Sequence, residues 1–202
     1  MQSKGEIDDM LIGPDYSHWN VDADYGLGDF QIHKLTQGLS YLDPTAEQWF
    51  DRRTYGLNGV YHFMTTDNIH LQAEHFTDKL RKLDMLERVM PIVDYEGDIA
   101  FKDKDGSILK QLINEISMII DWQPVIYMDK TNANKLMSGN HSNWFRNMCS
   151  LWLADYSTKG IEIKPYKQWI PVLRQFTNKP LCDLNIFYGN ENGWKSFLIQ
   201  QS

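Results

Sequence analysis

Short apolar runs alternate along this chain with segments whose apolar residues recur at spacings of three and four. The runs predict eight strands: the segment leading into Gly13-Pro14-Asp15, then Phe30–Leu35, Gly59–Met64, Met90–Glu96, Pro124–Met128, Leu151–Tyr156, Val172–Thr177 and Asp183–Phe187. Between them, Ala73, Phe76, Leu80, Leu83 and Leu86 share one helical face. A second helix is marked by Ile108/Leu109, Leu112/Ile113, Ile116 and Ile119/Ile120, with Ser107 as its expected N-cap. Asn132–Met137 and Ser142–Met148 carry shorter helical patterns, and in the last third strands follow one another with little helix between. Alternating strand and helix predicts a parallel sheet with covered faces. Eight strands in one chain of this length predict closure into a barrel whose second half has lost helices; an open doubly wound sheet is the alternative. No GxGxxG follows the first strand and no GxxxxGK[ST] occurs, which disfavours nucleotide binding.

One strand is unusual. In VMPIVDYEGD, residues 89–98, an apolar run drives straight into two carboxylates spaced two apart. Side chains alternate along a strand at about 3.3 Å per residue, so Ile92, Asp94 and Glu96 share a face with the two acid Cα atoms about 6.6 Å apart. A buried strand is expected to deliver both acids to its C-terminal tip, with Gly97 ending it. Two carboxylates side by side repel, and such repulsion is a device for separating their pKa values.

Composition narrows the partners. The chain has 202 residues, enough for one domain, with a net charge of −7 and no block of Lys or Arg. That excludes the electrostatic footprint of a nucleic-acid binder. Residues 1–10 form a polar leader before the expected domain, 11–202, with neither the basic nor the apolar region of a secretory signal, which places the protein in the cytoplasm of the cell that makes it. No stretch approaches the roughly 20 apolar residues of a membrane span. Cys149 and Cys182 flank an intervening strand, and strands next but one lie about 9.6 Å apart. No disulfide is expected between them.

In a parallel barrel, functional groups collect at the C-terminal ends of strands. Those ends carry Asp15, Lys34-Leu35-Thr36-Gln37, Tyr61-His62, Asp94/Glu96, Tyr127, Asp155-Tyr156 and Gln175, with Asp183 at the head of the last strand. Acids and flat tyrosines with few cations suit a sugar. Paired carboxylates suit glycoside hydrolysis, in which one acid donates a proton and the other supports the cationic centre. A divalent metal held by Asp15, Asp94, Glu96 and a histidine is the competing chemistry, though no HExxH or HxH spacing supports it. His18, His33 and His62 read individually as hydrogen-bonded structural residues.

Gly13-Pro14-Asp15-Tyr16-Ser17-His18-Trp19-Asn20 resembles the G-[IV]-D-[VI]-S-x-[WY]-Q opening of glycoside hydrolase family 25, the Chalaropsis-type lysozymes. Further matches follow in order: His33–Gly38 to I-K-A-T-E-G, Tyr41-x-Asp43-Pro44 to Y-x-D-P, Gly59–Phe63 to G-x-Y-H-F, and Asp94-Tyr95-Glu96 to D-x-E. Pro124–Tyr127, Leu151–Tyr156 and Asp183-Leu184-Asn185 complete the set. The resemblance implies an irregular TIM-like (β/α)5β3 barrel, without cofactor or metal, that cuts the β-1,4 bond between N-acetylmuramic acid and N-acetylglucosamine in bacterial peptidoglycan. It implies Glu96 as general acid and Asp94 as stabiliser or orienter of the substrate's N-acetyl group. Asp15 and Asp183 would be supporting carboxylates, and Tyr61, Tyr127, Trp152 and Gln37 would contact substrate. Gln37 departs from the family, which usually has glutamate there, and this motivates a second reading as a catalytically impaired glycan-binding module. The resemblance further suggests a monomeric phage-type lysin (an endolysin), released onto the wall or carried in the phage particle.

Overall fold

The first strand, β1 (Leu11–Tyr16), is paired along both edges. On one side it runs parallel to β2 (Phe30–Gln37), with Asp15 opposite Ile32. On the other it runs antiparallel to β9 (Asp183–Phe187), which sets Gly13 opposite Asn185 and Asp15 opposite Asp183. The sheet continues from β2 through β4 (Leu57–Phe63), β5 (Val89–Asp94), β6 (Val125–Asp129), β7 (Leu151–Ala154) and β8 (Pro171–Asn178) to β9. Eight strands therefore close into a barrel in which β9 alone runs backwards. A two-residue strand, β3 (Tyr41–Leu42), lies antiparallel on β2 outside the ring. The computed structural model describes residues 10–20, 28–52, 56–157, 168–178 and 183–198. The expected leader and Cys182 lie outside these, Met10 excepted; Cys149 is a buried free thiol whose pKa burial pushes up to about 12.

Strand alternation divides the core in two. Along β5, Met90 and Ile92 point into the barrel, where they meet Phe30, Ile32, Trp152 and Leu173. Val89, Val93 and Tyr95 point outward into a second cluster shared with the helices. The helices are α1 (Ala46–Arg52), α2 (Ile69–Lys82), α3 (Gly97–Lys102), α4 (Ser107–Ile120), α5 (Lys130–Ser138), α6 (Ser142–Met148) and α7 (Glu191–Lys195). They follow β3, β4, β5, β6 and β9, so the barrel is irregular as expected.

Several boundaries differ from the pattern-based expectation for identifiable reasons. The α2 face was expected to reach Leu86, but the helix ends at Lys82, followed by Asp84 and Glu87 with φ of 51° and 66°. The β5 strand ends at Asp94, and Glu96 is the extended N-cap residue of α3, a helix too short to show a periodic pattern. The short elements β3, α1 and α7 escape pattern reading for the same reason. Ser107 is the first residue of α4 rather than its cap; Gly106 holds the cap position in the left-handed region, φ 82°.

The start of α4 is served from a distance by Asp103. Its carboxylate accepts from the backbone N–H groups of Ile108 and Leu109 at 3.3 and 3.0 Å and from the Tyr95 hydroxyl at 3.2 Å. Tyr95 is the middle residue of Asp94-Tyr95-Glu96 and is fully buried, so one buried carboxylate ties the acid-bearing segment to the helix behind it. Asp103→Ala would leave two helix N–H groups without their acceptor and the buried Tyr95 hydroxyl with only the backbone carbonyl of residue 103, 3.3 Å away. The expected cost is about 2–4 kcal/mol, seen as a lower midpoint in thermal or urea unfolding. A midpoint within experimental error of wild type would show that the link contributes nothing.

Candidate active site

The C-terminal ends of the parallel strands and the N-terminal end of β9 meet at one mouth. Asp15 arrives on β1, Asp183 on β9 and Asp94 on β5, with Glu96 just beyond. Asp15 and Asp94 are buried, at 9% and 5% exposed, whereas Asp183 and Glu96 are half-buried. The structure thus gathers Asp15, Asp94, Glu96 and Asp183 at one mouth.

Two amides hold the floor together. Asn185 donates to Asp15 Oδ2 at 2.7 Å and accepts from the Trp152 indole N–H at 2.8 Å. Gln175 donates to Asp15 Oδ2 at 3.0 Å and to Asp183 Oδ2 at 3.2 Å. Its carbonyl oxygen accepts from the Tyr127 hydroxyl at 2.9 Å and from the Tyr156 hydroxyl. A neutral amide can donate to acids on one side and accept from phenols on the other. The sequence placed Gln175 and Asn185 near the mouth but gave neither of them a role. The only signal available was position, since strand partners inward of the acids must satisfy them.

Trp152 was expected to line a sugar subsite. It is 2% exposed, packs edge-on against Tyr127 at 4.6 Å between centroids, and supports the floor from beneath. Tyr61 and Tyr127 are half-buried at the mouth. Asp155 does not join the acid cluster: Lys130 pairs with it at 2.8 Å, and the Ser157 N–H and hydroxyl both donate to it. The histidines are structural. His62 sits between the Thr36 hydroxyl, 2.9 Å away, and Gln72 Oε1, 3.3 Å away, and burial lowers its pKa to about 3. His18 leans on Asp43 and Tyr41, and the Thr45 hydroxyl bridges His33 and Asp43. Among the described residues, no group of three or more His, Cys, Asp or Glu is arranged to hold a metal ion. No helix of the described residues is long and apolar enough to cross a membrane.

The electrostatics of the mouth follow from burial. Burial, then the charge of Glu96, pushes the Asp94 carboxyl well above the usual range. Burial, then Asp129 and Asp15, pushes Glu96 up, and Lys34 pulls both acids back down. Asp129 ends β6 two residues past the described β5–β6 register, and it was absent from the residues expected to matter. Asp94 Oδ1 is buried with no hydrogen-bond partner. Both acids of the pair are raised, and burial is the first cause for each. Asp15 is raised chiefly by burial, against its two amide donors, and Asp183 is raised to about 7 by burial and by Asp15 and Glu96.

A closed barrel with four acids converging on one polar, tyrosine-walled mouth defines a glycoside hydrolase. The family model for glycosyl hydrolases family 25 matches residues 9–182, and the chain belongs to that family. No curated protein matches it significantly in sequence. Solved structures do match in fold. A muramidase from Trichobolus zukalii superposes with a TM-score of 0.73 at 22% identity, covering 93% of this chain and 98% of that one. A family 25 glycosyl hydrolase from Bacillus anthracis gives 0.74 at 19%, covering 94% of each chain. A modular autolysin from Streptococcus pneumoniae, solved with a synthetic peptidoglycan ligand, gives 0.69 at 14%, covering 89% of this chain and 47% of that one.

The strained acids carry a stability signature. Asp183 has a folded-state pKa of about 7 against about 3.9 when unfolded. Between those values the native state binds more protons than the unfolded one, so this group makes stability fall as pH rises from about 4 to about 7. Asp183→Asn should therefore raise Tm at pH 8 and leave it unchanged near pH 4. Asp183 is half open to solvent, so screening limits the gain to about 1–2 kcal/mol, or roughly 2–6 °C. No gain at pH 8 would mean that the carboxylate is not strained.

Proposed function

We propose that the chain is a peptidoglycan muramidase that cuts the β-1,4 bond between N-acetylmuramic acid and N-acetylglucosamine, with Glu96 as the general acid and Asp94 as its partner. The observation that carries the assignment is the buried Asp94 Oδ1 without a hydrogen-bond donor, beside a second raised carboxyl at the same mouth. An N-acetylated sugar has the missing donor in its amide N–H. Hydrogen bonding to a carboxylate favours its ionised form. Substrate seated on Asp94 would lower the affinity of that acid for the shared proton and leave the proton on Glu96. Glu96 then protonates the glycosidic oxygen, while ionised Asp94 orients the acetamide and balances the positive charge at the sugar's anomeric carbon. Tyr61 and Tyr127 wall the sugar, and Asp15 and Asp183 keep the floor acidic.

The autolysin solved with a peptidoglycan ligand supports the same substrate for this fold. We infer action as a monomer on the bacterial wall, after release from the producing cell or within a phage particle. The reading as an impaired binding module loses its motive at Gln37, because that amide is hydrogen-bonded within the mouth while both acids of the pair remain.

Glu96→Gln keeps the shape and removes the proton donor. Activity on purified peptidoglycan should fall by about 10²–10⁴-fold, with unfolding and wall binding retained. Mass spectrometry of wild-type products should show new muramic acid reducing ends. Lysis by the Glu96→Gln protein at near wild-type rate would sink the role, and glucosamine reducing ends would sink the bond assignment. Asp94→Asn should also cut turnover and move the basic limb of the kcat/KM profile to lower pH, since it removes a negative charge beside Glu96. A basic limb that stays put or rises would require the two roles to be exchanged.

A further inference from the structure

The mouth contains one buried lysine among its acids. Lys34, on β2, is 7% exposed, and its ammonium lies 4.9 Å from the Phe63 ring centroid and 5.4 Å from that of Tyr41. It donates to Gln37 Oε1 at 2.6 Å. That contact is impossible in a regular strand, where residues three apart face opposite ways. The register of β2 on β4 slips between Lys34, opposite Tyr61, and Thr36, opposite His62. Leu35 and Thr36 both turn outward, to the helix-side core and to His62. The extra residue is a β-bulge, and it returns Gln37 to the inner face beside Lys34.

The partner chosen for the ammonium is neutral. A carboxylate at 2.6 Å would cancel most of its charge, whereas an amide carbonyl fixes its position and leaves the charge whole. The charged and titratable groups around it are Asp94 and Glu96 at the end of β5, Asp43 after β3, His62 and the Tyr61 phenol on β4, and the Tyr41 phenol on β3. Asp43 is already occupied by the His18 and Thr45 N–H groups, the His18 ring and the Thr45 hydroxyl. The groups facing the acid pair from the remaining elements, Asp129 on β6 and Asp183 on β9, are carboxyls and supply no cation. Arg174, the other buried cation of the described residues, is turned to the Asp155 carbonyl and Tyr188.

We propose that Lys34 and Gln37 form a charge-setting pair: Gln37 positions the ammonium without neutralising it, and the undivided positive charge of Lys34 sets the pH window in which Asp94 and Glu96 hold one proton between them. This rests on the reading of Asp94 and Glu96 as the reacting pair and adds to it a positioning role for a lysine and an amide. Burial opposes the charge on Lys34, and the acids Asp94, Asp43 and Glu96 support it, as mutual attraction requires.

The decisive variant is Gln37→Glu, nearly identical in shape, which supplies the ammonium with a counter-charge. Lys34→Met removes the charge itself. Two measurements are made on the full chain. One is the pH–rate profile on purified peptidoglycan. The other is a carbon-13 NMR titration of the Asp and Glu carboxyl groups in the substrate-free protein, reported as apparent values of the pair. Both variants should move both limbs of the profile and the NMR midpoints to higher pH, by about one unit for Gln37→Glu and by at least as much for Lys34→Met. A merely structural lysine would lower Tm in Lys34→Met and leave the midpoints where they were, and that result overturns the proposal. So does a downward shift in Gln37→Glu. If the wild-type protein releases no muramic acid ends, the muramidase reading fails, and the NMR midpoints still decide the charge-setting role. If activity is present and the midpoints do not move, the charge-setting role fails and the muramidase reading stands.

Discussion

Four carboxylates crowded into a half-dry mouth are the constraint on which the rest of this structure turns. Left alone, Asp15, Asp94, Glu96 and Asp183 would repel one another and resist burial. Each neighbouring feature answers that problem in part. Gln175 and Asn185 place amide donors on Asp15 and Asp183, Trp152 orients Asn185 from below, and Lys34 stands as a cation opposite the Asp94/Glu96 pair. What remains uncompensated is localised at Asp94 Oδ1 and in the raised carboxyls. Burial first, and mutual repulsion after it, holds these carboxyls above their ordinary range.

The barrel spends its rigidity on that mouth. The inner tier of Met90, Ile92, Phe30 and Ile32 is apolar and close-packed, and it makes a firm base below the acids. His62, the histidine a motif reader would suspect first, faces outward, and burial lowers its pKa to about 3. Asp183, raised to about 7 by burial and by Asp15 and Glu96, is the group through which the mouth most clearly burdens the fold.

Much of this was legible in the residues. The eight barrel strands were all visible as apolar runs, because buried parallel strands read as continuous hydrophobic segments. The acids were visible because carboxylates at the ends of such runs have few other reasons to be there. The elements β3, α1, α3 and α7 were not, since each is too short for its apolar spacing to stand out from the loop beside it. Trp152 misled because an aromatic beside a mouth and an aromatic beneath it have the same sequence signature. The Lys34–Gln37 contact was invisible for a stricter reason. It depends on a bulge, and no pattern of apolar and polar residues distinguishes His33-Lys34-Leu35-Thr36-Gln37 with a slip from the same residues without one.

The position of β9 has a consequence for how the protein is made. Asp15 meets its amide donors, Gln175 and Asn185, across 160 and 170 residues of chain. During synthesis at about 5–20 residues per second, the first acid waits many seconds before the partners that make its burial tolerable exist. Until then β1 has no second edge partner and the barrel is an open, unsealed sheet. A half-made chain therefore lacks the floor of its own mouth until Gln175 and Asn185 arrive.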